Sequence, residues 1–288
     1  MMKKIYVLFS LLSLTIITTA QTKQGRAVVP MLHGDRQEKS TVVDAGKLRV
    51  YYAFNAKDVY DRSSYIDLQC LEIGEKLSKY YSWWAEVADS LKAEWLNKHP
   101  YAQSCPFWYG EGGRYPNYWS EYQFSELFRE KGEVTVYARM PMHYSQHDCW
   151  YEEPYPRQQW EIRADTLTVC GYLCQKAVCS FRGREFVAWF ASDIPIGDGP
   201  WKFGGLPGLI LKLQDIDHLY TFECVQIEQK AFSIRKYDYS DYKPMERDKV
   251  LRLQRRINED YFGTGGAIDR KTGQRVSRFT PYDPLELE

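Results

Sequence analysis

The sequence has no excess of charge of either sign, because its 288 residues include 38 basic and 38 acidic side chains. A nucleic-acid-binding domain would show a basic excess on one face, so this class of function is disfavoured. The chain also contains neither a Gly-x-Ser-x-Gly nor a His-Glu-x-x-His motif, which are typical of α/β-hydrolases and zinc peptidases. With 44% hydrophobic and 26% charged residues, the composition instead indicates an ordinary globular protein.

The longest apolar run lies at the N-terminus. Two lysines within residues 1–4 precede a 13-residue stretch at 5–17 that is broken only by Ser and Thr, and Thr18, Thr19 and Ala20 follow it. This order predicts a secretory signal peptide cleaved after Ala20, because a membrane span needs about 20 apolar residues. We therefore expect an exported protein, periplasmic or secreted, with no transmembrane segment after cleavage.

Alternation of apolar and polar residues dominates the rest of the chain. It occurs at 48–54, 66–70, 134–140, 160–162, 167–169, 177–181, 209–213 and 220–224, and a period of two indicates β-strands. Short connections at 182–184 and 215–218 predict hairpins. The expected fold class is mainly β, a β-rich α+β fold built on a curved antiparallel meander.

Two segments have helical spacing instead. One runs from 84 to 97 and stops at His99-Pro100, and the other follows Pro244 and stops near Gly263, as helix termination signals predict. We expect both to be peripheral helices of a single β-rich domain at 47–263. The remaining parts are the signal peptide at 1–20, an extended N-terminal segment at 21–46 and a loosely held, Gly-rich and polar C-terminal tail at 264–288.

Seven cysteines follow the signal peptide, namely Cys70, Cys105, Cys149, Cys170, Cys174, Cys179 and Cys224. Export permits disulfides, and an odd number leaves at least one thiol free or paired between chains. The possible disulfide-forming residues are Cys149, Cys170, Cys174 and Cys179, although buried thiols remain an alternative. The gaps of three and four residues in the cluster 170–179 do not match the usual zinc spacing, and no metal or other cofactor is predicted.

The segment 189–210 is the most informative part of the sequence. Leu206-Pro207-Gly208-Leu209 predicts a type II turn, in which glycine supplies a positive φ at the third position. Gly199 and Gly204 have the spacing of a phosphate-binding loop, but Gly205-Leu206 follows where such a loop needs Lys and then Ser or Thr. A phosphate site is therefore excluded here.

The same segment resembles the GLPGLI proteins, an exported family common in Bacteroidetes. The namesake motif is 205–210, and similar pieces occur at 171–177, 181–184, 188–190, 193–195 and 199–203. The residues that carry this motif, and a possible binding loop, are Trp189, Asp193, Pro195, Gly199, Pro200, Trp201, Phe203, Gly205, Leu206, Pro207, Gly208, Leu209 and Ile210. The resemblance implies export and a β-rich fold, and it assigns no catalytic residue.

The function expected from these patterns is that of a non-enzymatic cell-envelope protein that binds an apolar ligand or an outer-membrane partner. Trp201, Phe203 and Leu206 would line the ligand site, or more simply would fold inward and close one end of the sheet. An aromatic-lined carbohydrate-binding module is an alternative, since acidic and aromatic residues at 148–155 could stack on a sugar.

Two further site types contain the required residues. Cys174, His218 and either Asp193 or Asp215 could form a thiol-dependent catalytic site. His143, His147, Asp148 and Cys149 could bind a metal, but Met140-Pro141 precedes them and favours a loop. Neither set lies in a recognisable catalytic motif, and many such combinations arise by chance in a chain with these residue numbers.

Overall fold

The computed structural model describes residues 39–102, 105–106, 108–111 and 120–288. The predicted signal peptide and most of the predicted extended N-terminal segment lie outside these described residues. Within them, strands predominate, in agreement with the mainly β fold class expected from the alternation. No helix in this described part is long and apolar enough to cross a membrane.

In the described residues, twelve strands form one open sheet. Their bounds are β1 Ser40–Phe54, β2 Asp67–Gly74, β3 Leu77–Ser82, β4 Ser125–Glu130, β5 Glu133–Ala138, β6 Cys149–Pro154, β7 Glu161–Val169, β8 Tyr172–Phe181, β9 Arg184–Ala191, β10 Leu209–Asp215, β11 Thr221–Tyr237 and β12 Lys243–Pro244. The order across the sheet is β12-β6-β5-β4-β3-β2-β1-β11-β10-β9-β8-β7. All neighbours are antiparallel except β12 and β6, which are parallel.

The sheet consists of two meanders joined by its longest strands. Strands β1 to β6 follow one another across one half, and β7 to β11 follow one another across the other half. The halves meet where β1 pairs with β11 over most of its length, from Ser40 opposite Tyr237 to Phe54 opposite Phe222. This long-range pairing is what makes one sheet out of two locally formed meanders.

Four α-helices accompany the sheet in the part of the chain that the structure describes, and their bounds are α1 Trp83–Lys98, α2 Glu121–Phe124, α3 Arg247–Glu259 and α4 Tyr261–Thr264. The two longer ones confirm the predicted helices. Helix α1 begins where the Ser82 hydroxyl accepts a hydrogen bond from the Ala85 backbone at 3.0 Å, which satisfies one of the unpaired amides of the first turn. Helix α3 buries Val250, Leu253 and Ile257 on one face, as amphipathic spacing predicts.

The core lies on one face of the sheet and is rich in aromatic side chains. Tyr52, Phe54, Phe186, Phe190 and Phe222 are among its largest fully buried members. Each comes from a strand position of the alternating pattern, so packing accounts for much of the 16% aromatic content. Edge-to-face and tilted ring pairs of this kind contribute about 0.5–1.5 kcal/mol each beyond their burial.

The expectation of a loosely held tail is wrong for the last residues of the chain. Tyr282, Leu285 and Glu286 are buried, and Leu285 is fully so. The Leu285 backbone amide donates to the Tyr122 hydroxyl at 2.7 Å, and the Leu287 amide donates to the Arg182 carbonyl at 2.9 Å. The sequence lacks a regular pattern here because these contacts use single residues at irregular intervals rather than one face of a helix or strand.

Candidate functional site

Residues 192–208 form the loop that joins β9 to β10, and we call them the motif loop. The loop folds back on itself, because the Gly205 amide donates to the Gly197 carbonyl at 2.9 Å and the Leu209 amide donates to the Ile194 carbonyl at 3.0 Å. The predicted motif residues differ in how far they are buried. Gly199, Pro200, Trp201, Phe203, Leu206, Gly208, Leu209 and Ile210 are buried, Trp189 is half-buried, and Asp193, Pro195, Gly205 and Pro207 are exposed.

The prediction of a positive φ at Gly208 in the motif loop is wrong. The positive φ occurs at Gly205, where it is +81°, whereas Gly208 does not have one. Gly208 is needed for a different reason, because a Cβ atom there would stand 2.2 Å from the Ala191 carbonyl oxygen. Close backbone approach therefore selects glycine at 208, and a left-handed conformation favours it at 205.

The aromatic side chains of the motif loop close one end of the sheet. The Phe203 ring lies 4.6 Å from Phe186 and 5.0 Å from Phe181, centroid to centroid. The Trp201 ring makes an edge-to-face contact with Tyr122 at 5.4 Å. Trp201, Phe203 and Leu206 are each at most 3% exposed. The inward-folding interpretation is therefore confirmed, and these residues are core rather than the lining of a ligand site.

A fully buried lysine lies between two of these aromatic residues. The Lys202 ammonium is 2.6 Å from Glu153 Oε1 and 2.8 Å from Glu286 Oε1, and it donates to the Tyr151 hydroxyl at 3.0 Å. Arg247 binds the other oxygen of Glu286 at 2.6 Å. We call this group, together with Arg182, the buried ion cluster. A charge that is removed from water costs several kcal/mol unless it is paired in this way.

The pKa values in the buried ion cluster favour full ionisation. Burial alone would raise the pKa of Glu286, but Lys202 and Arg247 outweigh it and lower this pKa to about 2. Burial would likewise lower the pKa of Lys202, yet Glu286 and Glu153 raise it. The cluster is thus a structural set of fixed charges rather than a set of groups poised for proton transfer.

The buried ion cluster holds the C-terminal segment, residues 280–288. Arg182 donates to Glu153 at 2.7 Å, and Arg184 donates to the Pro284 carbonyl at 2.7 Å and pairs with Asp283. The Trp201 indole N–H donates to Glu286 at 2.9 Å. The motif loop therefore anchors the end of its own chain. No sequence pattern predicted a cluster of Lys202, Glu153 and Glu286, although alternation on β6 puts Tyr151 and Glu153 on one face.

A groove with a volume of about 670 Å³ lies beside α1. We call it the α1 groove. Its lining residues come from three neighbouring strands of the first meander, from β11 and from the helix: Arg49, Glu72, Lys79, Tyr81, Trp83, Glu86, Val87, Ser90, Leu91, Ala93, Glu94, Asn97, Ser233 and Arg235. The groove lies on the sheet face opposite Val50 and Tyr52, because strand side chains alternate between faces.

Ion pairs fix the charged floor of the α1 groove. Arg49 Nε is 2.8 Å from Glu72 Oε1, which also accepts the Tyr81 hydroxyl at 3.1 Å. Lys79 Nζ is 3.3 Å from Glu126 and donates to the Arg235 carbonyl at 3.1 Å. Burial alone would lower the pKa of Arg49, but Glu72 outweighs it and raises that pKa. These polar groups are therefore held in place before any ligand arrives.

Aromatic rings form the walls beside these charges. The Trp83 ring makes an edge-to-face contact with Tyr51 at 5.3 Å, and the Arg49 guanidinium lies 5.7 Å from the Trp83 centroid. Trp83 remains half-buried, and Val87 and Leu91 on the next helical turns are exposed. A pocket with apolar walls and a few fixed polar groups is the usual form of a small-ligand site. The helical spacing at 84–97 predicted the helix but did not indicate Trp83 or the strand residues as part of a site.

The proposed thiol site does not have the geometry of a catalytic group. Cys174 is fully buried, and burial raises its pKa to about 11. Its thiol donates to the Tyr172 carbonyl at 3.5 Å. His218 is exposed in the turn between β10 and β11, and Asp215 accepts the Tyr220 amide at 2.7 Å. Within the described residues no hydrogen bond joins Cys174 to His218, Asp193 or Asp215, so a base that could activate the thiol is missing from its surroundings.

The possible metal ligands at 143–149 also lie in separate surroundings and contact different partners. His143 and His147 lie in a short 3₁₀ turn, Met142–His147, and His143 contacts the Tyr261 hydroxyl at 2.5 Å. Asp148 accepts the Met140 amide at 2.6 Å, and burial raises its pKa to about 7. In the part of the chain that the structure describes, no group of three or more His, Cys, Asp or Glu side chains is arranged to hold a metal ion.

All seven cysteines are free thiols. The predicted disulfides among Cys149, Cys170, Cys174 and Cys179 are therefore not formed. Cys149, Cys174 and Cys179 are buried, as are Cys70 and Cys224, whereas Cys170 is exposed. The alternative of buried thiols describes most of them, because a free cysteine packs as a small apolar side chain.

The sequence is similar to one protein family over a short stretch. Residues 182–212 match a family described as a protein of unknown function (Porph_ging). This stretch contains β9, the motif loop and the start of β10, and the match is consistent with a Bacteroidetes family of unknown function. The resemblance to GLPGLI proteins remains a prediction. No curated protein matches the sequence.

Two solved structures of PNGF-II, in different space groups, have a distantly similar fold. They are 13% and 14% identical in sequence, with TM-scores of 0.45 and 0.44. The similarity covers 73% and 74% of this chain but only 32% and 34% of those chains. The chain thus spans about a third of the length of these proteins, and a similarity this weak assigns no function.

Proposed function

We propose that the protein is an exported, non-enzymatic binding protein of the cell envelope that holds a neutral saccharide in the α1 groove. Export is supported by the order of charged, apolar and small residues at 1–20. The observation that carries the binding proposal is the α1 groove itself, in which fixed ion pairs alternate with aromatic walls. The motif loop does not support binding of an apolar ligand, because its aromatic side chains fill the core.

The lining of the α1 groove suits an uncharged ligand. Its cations are Arg49, Lys79 and Arg235, and its anions are Glu72, Glu86 and Glu94. The formal charges cancel, so the groove offers no net attraction to a phosphate or to a cation. It offers closely spaced donors and acceptors, which match hydroxyl groups because each hydroxyl both donates and accepts.

The aromatic walls suit the apolar faces of a sugar ring. Trp83 and Tyr81 lie beside Arg49 and Glu72, so a ring that packs on the indole would place its hydroxyls near these polar side chains. The volume of about 670 Å³ lies within the range typical of small-ligand sites. Because the ion pairs hold the polar groups in place, binding would require little ordering of side chains.

The test is titration of the purified protein with cellotriose and maltotriose, followed by tryptophan fluorescence and calorimetry. We expect saturable binding of at least one saccharide, and we expect Trp83→Ala to weaken it about tenfold, the equivalent of about 1.4 kcal/mol of ring contact. Trp95→Ala is the matched control. Trp95 lies on the same helix and stacks on His99 at 4.2 Å, but it does not line the groove, so its loss should leave the affinity unchanged.

Palmitate serves as the apolar comparison probe. Binding of palmitate without binding of either saccharide would contradict the proposal and favour the apolar ligand expected from the sequence. Equal loss of saccharide binding in Trp83→Ala and Trp95→Ala would also contradict it, because the effect would then not be specific to the groove.

A further inference from the structure

The two edges of the sheet are protected to different degrees. One edge is β12, where the amides of Lys243 and Met245 donate to β6. The intervening residue, whose amide would face a further strand, is Pro244, and proline has no hydrogen to donate. The other edge is β7, which is nine residues long, contains no proline and is exposed from Glu161 to Thr168. In the part of the chain that the structure describes, no strand pairs with the outer side of β7.

The backbone of β7 presents hydrogen-bonding groups along this open edge. A two-residue turn with positive φ at both positions joins β7 to β8, so the flanking residues Val169 and Tyr172 form a hydrogen-bonded pair. Such pairs alternate along an antiparallel ladder. The amide and carbonyl groups of Thr166 and Thr168 therefore point away from β8, towards any strand that is added at this edge.

The charges on β7 complement one another in an antiparallel arrangement. If two copies of β7 meet about a twofold axis at Ala164, Arg163 of each copy lies directly opposite Asp165 of the other. An axis at Asp165 would instead place two carboxylates opposite each other, which is unfavourable. An axis at Ile162 would pair Arg163 with Glu161 but would engage only the first residues of the strand. The sequence of β7 thus favours one register with a second copy of itself.

We propose that β7 is the interaction surface for a second copy of this chain, and that the two sheets become continuous through an antiparallel pair of β7 strands. The twofold axis at Ala164 gives the contact between Arg163 and Asp165 twice. It also covers Ile162 and Leu167, which are 46% and 37% exposed in the single chain. The pair is closed, because both outer edges of the joined sheet are then β12 strands, which Pro244 blocks.

The segment at the proposed axis is held in place within the single chain. The register between β7 and β8 shifts between Ile162 and Thr166, and the Gln175 side chain donates to the Arg163 carbonyl there at 2.9 Å. Arg163 also pairs with Glu161 at 2.8 Å, whereas the ammonium nearest to Asp165 lies 3.9 Å away. Association therefore requires little ordering of the backbone, and Asp165 gains a closer cationic partner.

The experiment is sedimentation velocity of the full chain over about a hundredfold range of concentration, since association follows mass action. We expect the sedimentation coefficient to rise from that of one chain to that of two. Thr166→Pro removes an amide that faces the second copy and leaves the bonds to β8 intact, so this variant should remain monomeric. A thermal melt confirms that it is folded.

Charge exchange tests the register. Arg163→Asp places carboxylates opposite each other at both symmetric positions and should weaken association about tenfold. Arg163→Asp combined with Asp165→Arg restores opposite charges and should restore association. Lys230→Asp is the matched control, because it reverses an exposed charge on β11, away from β7, and should leave association unchanged.

Three results would overturn the proposal. The first is an unmodified chain that stays monomeric at every concentration, including one that nevertheless binds an unrelated extended peptide and so uses β7 for the strand of another protein. The second is a dimer that persists in Thr166→Pro. The third is equal weakening in Arg163→Asp and in the charge-exchanged variant, because the two charges would then not face each other.

Discussion

The protein contains two clusters of charged and aromatic side chains that have similar composition and different surroundings. In the buried ion cluster, Lys202 is fully buried between Glu153 and Glu286. In the α1 groove, Arg49 and Glu72 make a similar pair at the floor of an opening of about 670 Å³. Paired charges therefore occur in two settings here: one cluster fixes the C-terminal segment, and the other forms the floor of an open groove.

The difference comes from what covers each cluster. The C-terminal segment and the motif loop cover the first one, with Leu285 and Trp201 packed beside the charges. Helix α1 stands beside the second one without closing it, and Val87 and Leu91 remain exposed. Charge pairing alone therefore does not distinguish the two clusters. They differ in whether another segment of the chain covers the paired charges.

The largest expected effect is on the buried lysine. Lys202→Ala removes the ammonium that Glu153 and Glu286 share, and removal of one partner from a buried ion pair costs about 3–5 kcal/mol of unfolding free energy. Urea denaturation measures this loss. Lys212→Ala is the matched control, because Lys212 pairs with Glu223 at 2.8 Å on the surface and should cost at most about 1 kcal/mol. Equal losses would show that the two pairs do not differ in energetic role.

The next effect separates the two glycines of the motif loop. Gly208→Ala places a Cβ 2.2 Å from the Ala191 carbonyl oxygen, and the required backbone shift should cost about 1–3 kcal/mol. Gly205→Ala meets no atom within 4 Å and carries only the strain of a φ of +81°, about 1 kcal/mol. Thermal denaturation of both variants checks the order. A more destabilised Gly205→Ala would contradict the close-approach explanation.

A smaller effect concerns pH at the start of α1. Burial raises the pKa of Asp67 from an ordinary 3.8 to about 8, against the hydrogen bonds from Ser82 and Tyr109. The folded protein therefore holds a proton that the unfolded chain has released, and this contribution to stability falls as pH rises from about 4 to 8.

Asp67→Asn keeps a neutral acceptor at this site and should reduce the fall in unfolding free energy over that pH range, measured by urea denaturation at several pH values. The Glu286 carboxylate changes the unfolding free energy with pH in the opposite direction, and Glu286→Gln should remove that change. Because the pKa of Glu286 is lowered to about 2, its contribution is present above about 4.5 and is lost as pH falls towards 2. An unchanged pH slope in Asp67→Asn would contradict a protonated Asp67.

The smallest expected change in stability is in the wall of the α1 groove. Leu91 is 36% exposed, so Leu91→Ser should alter the unfolding free energy by about 0.5 kcal/mol or less. The same change should weaken saccharide binding, because it removes apolar surface from the groove. Calorimetric titration with cellotriose beside a thermal melt checks both expectations. A large stability loss with unchanged affinity would assign Leu91 to the core instead.

The sequence by itself determined the mainly β class and the two longer helices. Strand and helix periodicities depend on local geometry that is the same in any fold. They are visible as apolar alternation at Val50 and Tyr52 and as helical spacing at Val250 and Ile257. It also indicated that Trp201 and Phe203 would pack inward, since apolar loop residues usually do so.

Only the tertiary structure decided which charges are covered by other segments and which line the α1 groove. Lys202, Glu153 and Glu286 come from three distant segments, and no periodicity marks a contact between single residues of this kind. The pairing of β1 with β11 is likewise set by long-range packing. Local patterns report the conformation of a segment, whereas burial, and with it the role of each charge, depends on what the remainder of the chain places above it.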